Sequence, residues 1–425
     1  MKSAVFGLLL CGLYAGASNA QTPPAGAQTP PPADSAPARL RVYLDCFDCF
    51  EQYLRDEIPW VDFVRQPQDA DVHVLSSSNS TGGGGREVVL RFVGAGRFEM
   101  VDAELKAVSQ TAEPENLRRA RVLRTVEVGL LGYLARDGLL PEVDVDVSSP
   151  GGAGTVEPPA DPWDLWVFRV SAGGSFDAEE SNEELRWDLS LAADRVTEHW
   201  KIGVGASTDQ QRERFDLDED DPLQVHQHES EFDWFVAKSV GPHWSFGLDG
   251  RVASSTFGNT RFSIRSAPAV EFSIFPYREY ATRQFVIQYE IGVERAQYTE
   301  VTLFDRLEET LWRHELSAEL DQRQTWGSLQ AGVEWSQYLH DASKYRLEVD
   351  GEISLRIVRG LSLDLDASAS RIRDQISLPR RSASTEEVLL RLRELQSGYE
   401  VSVSAGISYS FGSLFNNVVN PRFGN

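Results

Sequence analysis

The stretch YEVSVSAGISYSF, residues 399–411, alternates apolar or small residues with polar ones along its whole length. Tyr399 and Val401 begin the apolar series, and Glu400 and Ser402 begin the polar one. Successive side chains of a β-strand point to opposite sides, so the alternation predicts a strand with one apolar and one polar face. Because the strands of a soluble β-sandwich show the same alternation, this stretch alone leaves both folds open.

The same alternation recurs upstream, for example in LSLDLDASA (361–369), LEVDGEISLRI (347–357) and FVIQYEIGV (285–293). Twelve such segments follow one another in the C-terminal two-thirds of the chain. Each runs about ten residues, a length that crosses a bilayer at a tilt. We therefore predict a twelve-stranded antiparallel transmembrane β-barrel, which leaves no strand edge unpaired in lipid.

The connections between these segments alternate between short ones, such as VRGLS, and longer polar ones, such as RERFDLDEDDPLQVHQHE. In outer-membrane barrels the short turns face the periplasm, and an even strand number places both chain ends there. Aromatic residues near strand ends are predicted to form an interfacial girdle. They are Trp163, Trp166, Trp200, Trp244, Tyr277, Tyr280 and Trp326.

The N-terminus has the features of a secretory signal. Residues 1–20 combine Lys2, an apolar run and a small-residue end, and we interpret them as a signal peptide. A lipoprotein anchor at Cys11 is the alternative. Residues 21–38 form a Pro/Ala-rich linker with too few large apolar residues to pack. Export of this kind predicts a location in the cell outer membrane.

Residues 39–140 differ in character from the rest and are predicted to form a periplasmic α+β domain of order β-α-β-β-α. The segment EPENLRRARVLRTVEVGLLGYLARDG is its long amphipathic helix. The glycines of TGGGG suit a hairpin loop rather than a phosphate loop, because no G-K-[ST] follows them. Residues 141–160 are interpreted as a flexible linker to the barrel, which occupies residues 161–425 with a C-terminal tail.

Residues 161–425 resemble Gram-negative outer-membrane β-barrel proteins in general. The segments DADVHVL, TGGGGRE and FGSLFNNVVNPRF are similar, more narrowly, to an uncharacterised family that carries a small periplasmic domain before the barrel. The resemblance implies no known activity or substrate. Many such barrels end with an aromatic residue at the last position of the final strand. This chain differs, because about fourteen residues follow Phe411. Either Phe411 or Phe423 is the candidate signal for the barrel-assembly machinery.

The net charge of −24 argues against a nucleic-acid partner, since duplex binding relies on basic patches. The predicted partners are outer-membrane lipid, the barrel-assembly machinery during biogenesis, and a periplasmic protein for residues 39–140. No cofactor and no metal are predicted.

The predicted polar faces carry many charges, more acidic than basic. These charges are predicted to face the lumen, and two interpretations are open: a water-filled pore that prefers cations, or an ion-pair network that fills a narrow barrel. The predicted lumen-lining residues are Asp188, Asp249, Glu271, Glu290, Glu315, Glu319, Glu334, Glu348, Asp350, Glu352, Asp364, Asp366, Arg186, Arg251, Arg265, Arg313 and Arg356.

Two loops carry additional hypotheses. Residues 384–397, STEEVLLRLRELQS, have helical spacing and lie in the last long connection, either capping the rim or folding inward to gate the lumen. Residues 216–221 place acidic side chains beside His226 and His228, which suits a divalent-cation site or simply a solvated acidic loop.

The chain is not predicted to be an enzyme. Cys46 and Cys49 form a C-x-x-C at a strand-to-helix junction and are interpreted as a structural disulfide, with a thiol-disulfide oxidoreductase as the alternative. A barrel hydrolase at the extracellular rim is the other alternative, but His314 has no serine nearby on the outward face. The function predicted is a small channel or a structural membrane protein whose periplasmic domain docks a partner or regulates the barrel.

Overall fold

The structure, a computed structural model, describes residues 39–46, 49–111, 113–138, 161–215, 223–381 and 396–411. The predicted signal peptide, both linkers and the C-terminal tail lie outside the described residues. So do most of the predicted 384–397 helix and the acidic part of the 216–221 loop.

The N-terminal domain is a five-stranded mixed sheet with two helices. The strands are β1 (Arg41–Asp45), β2 (Asp62–Phe63), β3 (Val72–Ser80), β4 (Arg86–Gly94) and β5 (Asp102–Ser109), and the helices are α1 (Glu51–Glu57) and α2 (Glu115–Arg136). The strand order is β2-β1-β3-β4-β5, with β1 parallel to β2 and β3 and the remaining pairs antiparallel. The predicted β-α-β-β-α order omitted β2 and β5, because β2 has only two residues and the exposed residues of β5 are mostly charged.

Helix α2 covers one face of this sheet. Its buried residues Val122, Val126 and Leu130 recur at helical spacing, so one stripe of the helix is apolar. The Phe92 ring on β4 occupies the space where Gly129 would carry a Cβ atom, so only glycine lets the helix approach so closely. Tyr133 is buried, and its hydroxyl group donates a hydrogen bond to the Val101 carbonyl at 2.6 Å.

Twelve long strands form a second, antiparallel sheet in which every strand pairs with its neighbours in the sequence. They are β6 (Trp166–Ala178), β7 (Asn182–Val196), β8 (Trp200–Phe215), β9 (Leu223–Val240), β10 (Trp244–Ser255), β11 (Thr260–Ser273), β12 (Arg283–Tyr298), β13 (Glu308–Gln324), β14 (Gly327–Tyr338), β15 (Tyr345–Val358), β16 (Leu361–Ile372) and β17 (Tyr399–Tyr409). The predicted fold class, a small α+β domain followed by a twelve-stranded antiparallel sheet, is confirmed.

The strands are longer than the predicted ten residues, from 11 residues in β17 to 18 in β9. The additional residues of β8 and β9 are mainly polar or charged, as in TDQQRERF at the end of β8. Such residues extend a hairpin into water beyond the apolar zone of the strands. We call the end of the sheet with connections 197–199, 241–243, 274–282, 325–326 and 359–360 the short-turn mouth.

The opposite end, the long-loop mouth, carries connections 256–259, 299–307, 339–344 and 373–398. The alternation in length is less strict than predicted. Connection 179–181 at the long-loop mouth has three residues, whereas 274–282 at the short-turn mouth includes a 3-10 turn at Tyr277–Glu279.

Strands β6 and β17 stand at the two ends of the sheet order, and no pairing joins them among the described residues. The apolar side chains of these two strands are the most exposed ones in the twelve-stranded sheet, for example Val170 at 73% and Ile407 at 74%. Closure of the sheet between β6 and β17 therefore remains a prediction. Neither of the helices that the structure describes is long and apolar enough to cross a bilayer.

Candidate functional site

Strand register places all the predicted lumen-lining residues on one face of the twelve-stranded sheet, which we call the polar face. Glu290 lies directly opposite Glu315, and Glu334 lies directly opposite Glu348. Residues directly opposite each other in an antiparallel pair share a face, and like charges in that position repel. The polar face therefore needs counter-charges.

Arginines supply those counter-charges along the middle strands. The Arg265 guanidinium contacts both Asp249, at 3.3 Å, and Glu290. Arg313 pairs with Glu315 at 2.7 Å. This part of the polar face, across β10 to β13, is thus occupied by a network of charged side chains, as the ion-pair interpretation expects.

Open space remains elsewhere along the polar face. One cavity of 310 Å³ is lined by Asp188, Asp209 and Glu229 of strands β7 to β9. A second cavity of 460 Å³, nearer the short-turn mouth, is lined by Lys201, Asp249 and other residues of β8 to β12. The polar face therefore combines ion-paired side chains with open spaces between them.

Glycines make room for carboxylates on this face. Gly332 lies opposite Asp350, and a Cβ atom on Gly332 would come within 2.5 Å of the Asp350 carboxylate. Gly173 has the same relationship to Asp188, at 2.5 Å. Gly205 repeats the arrangement with Asp233. In each case the carboxylate lies flat against the neighbouring strand, where it leaves the space in front of the sheet open.

Part of the last long connection folds over the polar face at the long-loop mouth. We call residues 373–381 the strap. Ile376 of the strap is buried against Leu311 and Tyr338, which belong to the polar face. The strap pairs with connection 299–307 through two hydrogen bonds, from the Leu303 amide to the Leu378 carbonyl at 2.9 Å and from the Arg380 amide to the Val301 carbonyl at 2.8 Å.

Asn259 ties the strap to two other loops. Its side-chain amide donates to the carbonyls of Ser377, at 2.7 Å, and Glu300, at 3.1 Å, and its oxygen accepts the Glu300 amide at 2.8 Å. Asn259 is 4% exposed and has a positive φ of 55°. Asparagine tolerates this backbone conformation better than most residues, so both its backbone and its amide suit the position.

If the 384–397 segment folded inward, its flanking arginines, such as Arg380 and Arg381, would meet the acidic side chains of the polar face. Arg380 pairs with Asp305 and Arg381 with Glu300, both in connection 299–307. It is Asp374, in the strap, that reaches the polar face, where it pairs with Arg346 at 3.0 Å. The strap therefore contributes an acidic group to the polar face, and those two arginines remain at the rim.

The N-terminal domain contacts the short-turn mouth. The Asp45 carboxylate at the end of β1 lies 2.6 Å from the Arg356 guanidinium of β15, and Arg356 also lies over the Tyr43 ring. Asp69 pairs with Arg359 at 2.9 Å. The Gln66 side-chain oxygen accepts the Gly360 amide at 2.7 Å. These contacts hold the domain against the β15–β16 turn.

Asp45 is also linked to the interior of its own domain. The buried His73 lies 3.3 Å from Asp45 through its Nε2 atom. Burial raises the pKa of the Asp45 carboxyl, but the His73 hydrogen bond and the positive charge of Arg356 outweigh burial and leave the pKa below its ordinary value. The carboxylate form is therefore favoured while the two domains are in contact.

Further contacts reach other parts of the same mouth. Tyr280, in connection 274–282, donates its hydroxyl to Glu87 and lies 3.1 Å from the Lys106 ammonium. The Arg65 guanidinium contacts the Ser410 hydroxyl, one residue beyond β17. A Cβ atom on Gly82 would meet Val196 at 2.5 Å, so the β3–β4 hairpin packs against the end of β7. The N-terminal domain thus contacts turns spread around the short-turn mouth.

These contacts alter the predicted girdle. Tyr280 faces the N-terminal domain, and the Tyr277 hydroxyl donates to Glu271 on the polar face at 2.8 Å. Both hydroxyl groups are therefore hydrogen-bonded within the protein and not exposed to a lipid interface. Trp200, Trp244 and Trp326 remain exposed near the same end of the sheet, as a girdle requires.

Cys46 and Cys49 are joined by a disulfide, with their Cα atoms 5.5 Å apart. Cys49 is 1% exposed and belongs to the apolar core of the N-terminal domain. The pair lies directly after Asp45, so the disulfide links the end of β1 to the residues that precede α1. This position suits a structural cross-link beside the contact with Arg356.

In the part of the chain that the structure describes, the residues proposed for other chemistry do not come together in a site; the acidic residues 216–221 lie outside that part. Among the described residues, no group of three or more His, Cys, Asp or Glu side chains is arranged to hold a metal ion. His228 contacts the Ser254 hydroxyl at 3.3 Å through Nε2. His314 contacts Tyr289 and Gln337, each at 3.3 Å, and the Trp335 ring, with no serine among its described hydrogen-bond partners.

Several residues of this site were not identified from the sequence. Asp45 is the last residue of β1, and Gln66 and Asp69 lie between β2 and β3, so none of them gives a periodic signal. Asn259 is one polar residue in a polar loop, so nothing in the sequence distinguishes it from its neighbours. The alternation in β12 to β15 did identify the charged polar face, because that signal is repeated in every strand.

Comparison with known proteins gives a fold-level likeness. No protein-family model matches the chain, and no curated protein sequence matches it. A NanC porin structure is 9% identical, covering 58% of this chain and 100% of its own, with a TM-score of 0.27. The beta domain of the Bordetella autotransporter BrkA is 12% identical, covering 58% and 98%, with a TM-score of 0.26.

The translocator domain of the autotransporter NalP from Neisseria meningitidis is 11% identical, covering 58% of this chain and 87% of its own, with a TM-score of 0.19. At such low identities and scores the likeness carries no argument. The strand lengths and the opposed polar and apolar faces themselves have the character of an outer-membrane β-barrel. The described residues thus form a twelve-stranded antiparallel sheet of the outer-membrane barrel type, preceded by an α+β domain.

Proposed function

We propose that the protein is an outer-membrane channel that prefers cations and whose short-turn mouth is covered by its own N-terminal domain, located in the periplasm. The observation that carries this proposal is the ring of contacts from the N-terminal domain to the short-turn mouth, centred on Asp45 and Arg356. A domain held there by several polar contacts stands in the path of any solute that leaves the lumen.

A cation preference is supported by the charges of the polar face. Acidic side chains outnumber basic ones among the residues that share this face, and a wall of one sign selects ions of the opposite sign. The open cavity lined by Asp188, Asp209 and Glu229 has three acidic groups in one row across adjacent strands. Conduction is therefore expected along β7 to β9, where this cavity lies.

An open lumen is further supported by the glycine–aspartate pairs. A barrel that filled its interior with side chains would favour large residues at Gly173, Gly205 and Gly332, because packed interiors leave few voids. Glycine at these positions instead lets Asp188, Asp233 and Asp350 lie flat. This arrangement keeps charge at the wall and space in front of it.

A bilayer also requires that β6 and β17 pair, because an unpaired strand edge in lipid leaves backbone groups without partners. The N-terminal domain contacts residues near both edges, through Arg65 with Ser410 and through Gly84 near Arg169. We infer that the two edge strands pair in the membrane.

Cysteine pairs scanned along β6 and β17 test this pairing. Intramolecular disulfides in the folded protein support closure, and disulfides only between two copies contradict it.

Conductance in planar bilayers tests the channel. The full chain is compared with a variant that lacks residues 39–140. We expect few and small openings for the full chain, larger openings without the domain, and a reversal potential that favours K⁺ over Cl⁻. Absence of conductance in both proteins, once each is shown to be folded and inserted, contradicts the channel and leaves a structural membrane protein.

A further inference from the structure

The 460 Å³ cavity near the short-turn mouth lies over a part of the polar face where the side chains are small. Ala237, Gly247 and Ala269 line it and lie directly opposite one another on β9, β10 and β11. Lys201, on β8, lies opposite Ala237 in the same row. The larger side chains of the neighbouring rows therefore surround a depression in the sheet.

One of these larger side chains is aromatic. Phe235 lies opposite Gly203, and a Cβ atom on Gly203 would come within 2.2 Å of the Phe235 ring. The ring therefore lies against the backbone of β8. The Lys201 ammonium lies 5.5 Å from the centre of this ring. The cavity thus has an aromatic surface with a cation beside it.

Of the described residues that line the cavity, three are charged: Lys201, Asp249 and Glu271. Asp249 is neutralised by the Arg265 guanidinium at 3.3 Å. Lys201 and Glu271 have no ion pair among the described residues, since Lys201 contacts the aromatic ring and Glu271 accepts the neutral Tyr277 hydroxyl at 2.8 Å. One positive and one negative charge therefore remain without a counter-charge in this cavity.

The positions of Lys201 and Glu271 explain why they do not neutralise each other. They belong to β8 and β11, and three strand spacings place these strands about 14 Å apart along the sheet. A ligand that neutralises both must therefore carry its two charges at separate ends. A volume of 460 Å³ is within the usual range for small-molecule sites, so a whole molecule of this kind fits.

We propose that this cavity binds a small zwitterionic solute of about the size of a dipeptide, with an apolar side chain. Lys201 binds its carboxylate, Glu271 binds its ammonium group, and Phe235 packs against the apolar part. The inference deepens the proposed function by naming a class of solute, and it rests on the polar face lining the lumen.

Isothermal calorimetry on the full chain in detergent micelles tests the proposal and does not require conduction. The probe is alanyl-phenylalanine. Its N-acetyl derivative lacks the ammonium group, and its C-terminal amide lacks the carboxylate. We expect saturable binding of the dipeptide and about tenfold weaker binding of each derivative, because each loses one charge-assisted contact. No saturable binding of the dipeptide, or equal binding of all three probes, overturns the proposal.

Two substitutions separate the two ends of the site. Lys201→Gln is expected to weaken dipeptide binding about tenfold and to leave binding of the amide unchanged, since the amide has no carboxylate to lose. Glu271→Gln is expected to do the same for the dipeptide and the N-acetyl derivative. Lys238→Gln is the matched control, because Lys238 lies over the Trp200 ring and does not line the cavity. Equal losses in Lys201→Gln and Lys238→Gln overturn the proposal.

A further variant and a second measurement keep the test decisive. If either glutamine variant fails to fold, Ala237→Leu fills the depression and is expected to abolish dipeptide binding; unchanged binding overturns the proposal. Potassium conductance is recorded on the same preparations. A protein that conducts K⁺ but does not bind the dipeptide contradicts this inference alone, whereas one that binds the dipeptide but does not conduct supports the inference and contradicts the channel.

Discussion

The Asp45 carboxylate and the Arg356 guanidinium lie 2.6 Å apart, one at the end of a strand in the N-terminal domain and the other near the end of β15. Their side chains are only 14% and 22% exposed. Ion pairs shielded from water in this way lose less strength to solvent and salt than exposed pairs. The pair is therefore the strongest single candidate for holding the domain at the short-turn mouth.

Reversing one charge of this pair is expected to release the domain, and reversing both is expected to restore contact. Arg356→Asp and Asp45→Arg should each expose turn 359–360, and the double variant should recover protection, with a coupling of about 1 to 3 kcal/mol. Hydrogen–deuterium exchange of that turn measures the effect. Arg39→Asp is the control, because Arg39 pairs with Asp62 within its own domain at 3.9 Å. Additive losses in the double variant would argue against a direct pair.

Acidification is expected to weaken the same contact. The pKa of Asp45 is lowered in the docked state, so its contribution is fully present above the ordinary aspartate pKa of about 4 and is lost as the pH falls through the lower docked value. The difference in exchange between the wild type and Asp45→Asn should therefore shrink toward zero at low pH. A difference that stays constant down to the acid unfolding of the protein would contradict this account.

Substitution of a glycine that faces a carboxylate is expected to disturb the polar face. In Gly205→Ala the new methyl group meets the Asp233 carboxylate, which must move away from the wall, at a cost of about 1 to 3 kcal/mol. Single-channel conductance should fall while cation preference is retained. Gly247→Ala is the matched control on the same face, since its nearest neighbour would lie 3.6 Å away. Equal conductance in the two variants would show that the carboxylate position is unimportant.

Loss of the Asn259 side chain is expected to loosen the strap. Asn259→Ala removes the hydrogen bonds to Ser377 and Glu300 and leaves buried backbone groups without partners, at a cost of about 1 to 3 kcal/mol. Larger conductance and faster proteolysis within 373–381 should follow. Asn259→Gly keeps the left-handed backbone accessible, so it separates the amide from the backbone effect. If Asn259→Gly behaves like the wild type, the backbone conformation rather than the amide holds the strap.

The barrel sheet was predictable because its signal is repeated. Each strand offers the same alternation as residues 399–411, so an error in one strand leaves the others intact. Strand pairing keeps the two-residue alternation in step from one strand to the next. The alternation therefore also predicted which charged residues share a face. Strand length was underestimated because polar residues continue the hairpins after the apolar series ends.

Contacts between distant parts of the chain were not predictable in the same way. Asp45 and Arg356 belong to patterns that explain each of them locally, one at a strand end and the other as a lumen-lining charge. Nothing in a single sequence links them, because their meeting depends on how two domains pack. The strap is a similar case: Ile376 and Leu378 lie in a connection without periodicity and are buried only because other loops surround them.

Single-channel recording on the full chain is the most direct test of whether the N-terminal domain closes the short-turn mouth. Wild type, Asp45→Arg, Arg356→Asp and the double reversal are inserted into the same planar bilayers under a K⁺ gradient. We expect rare openings in the wild type, frequent cation-selective openings in each single variant, and a return to rare openings in the double variant. Properly folded single variants that remain as silent as the wild type would contradict it.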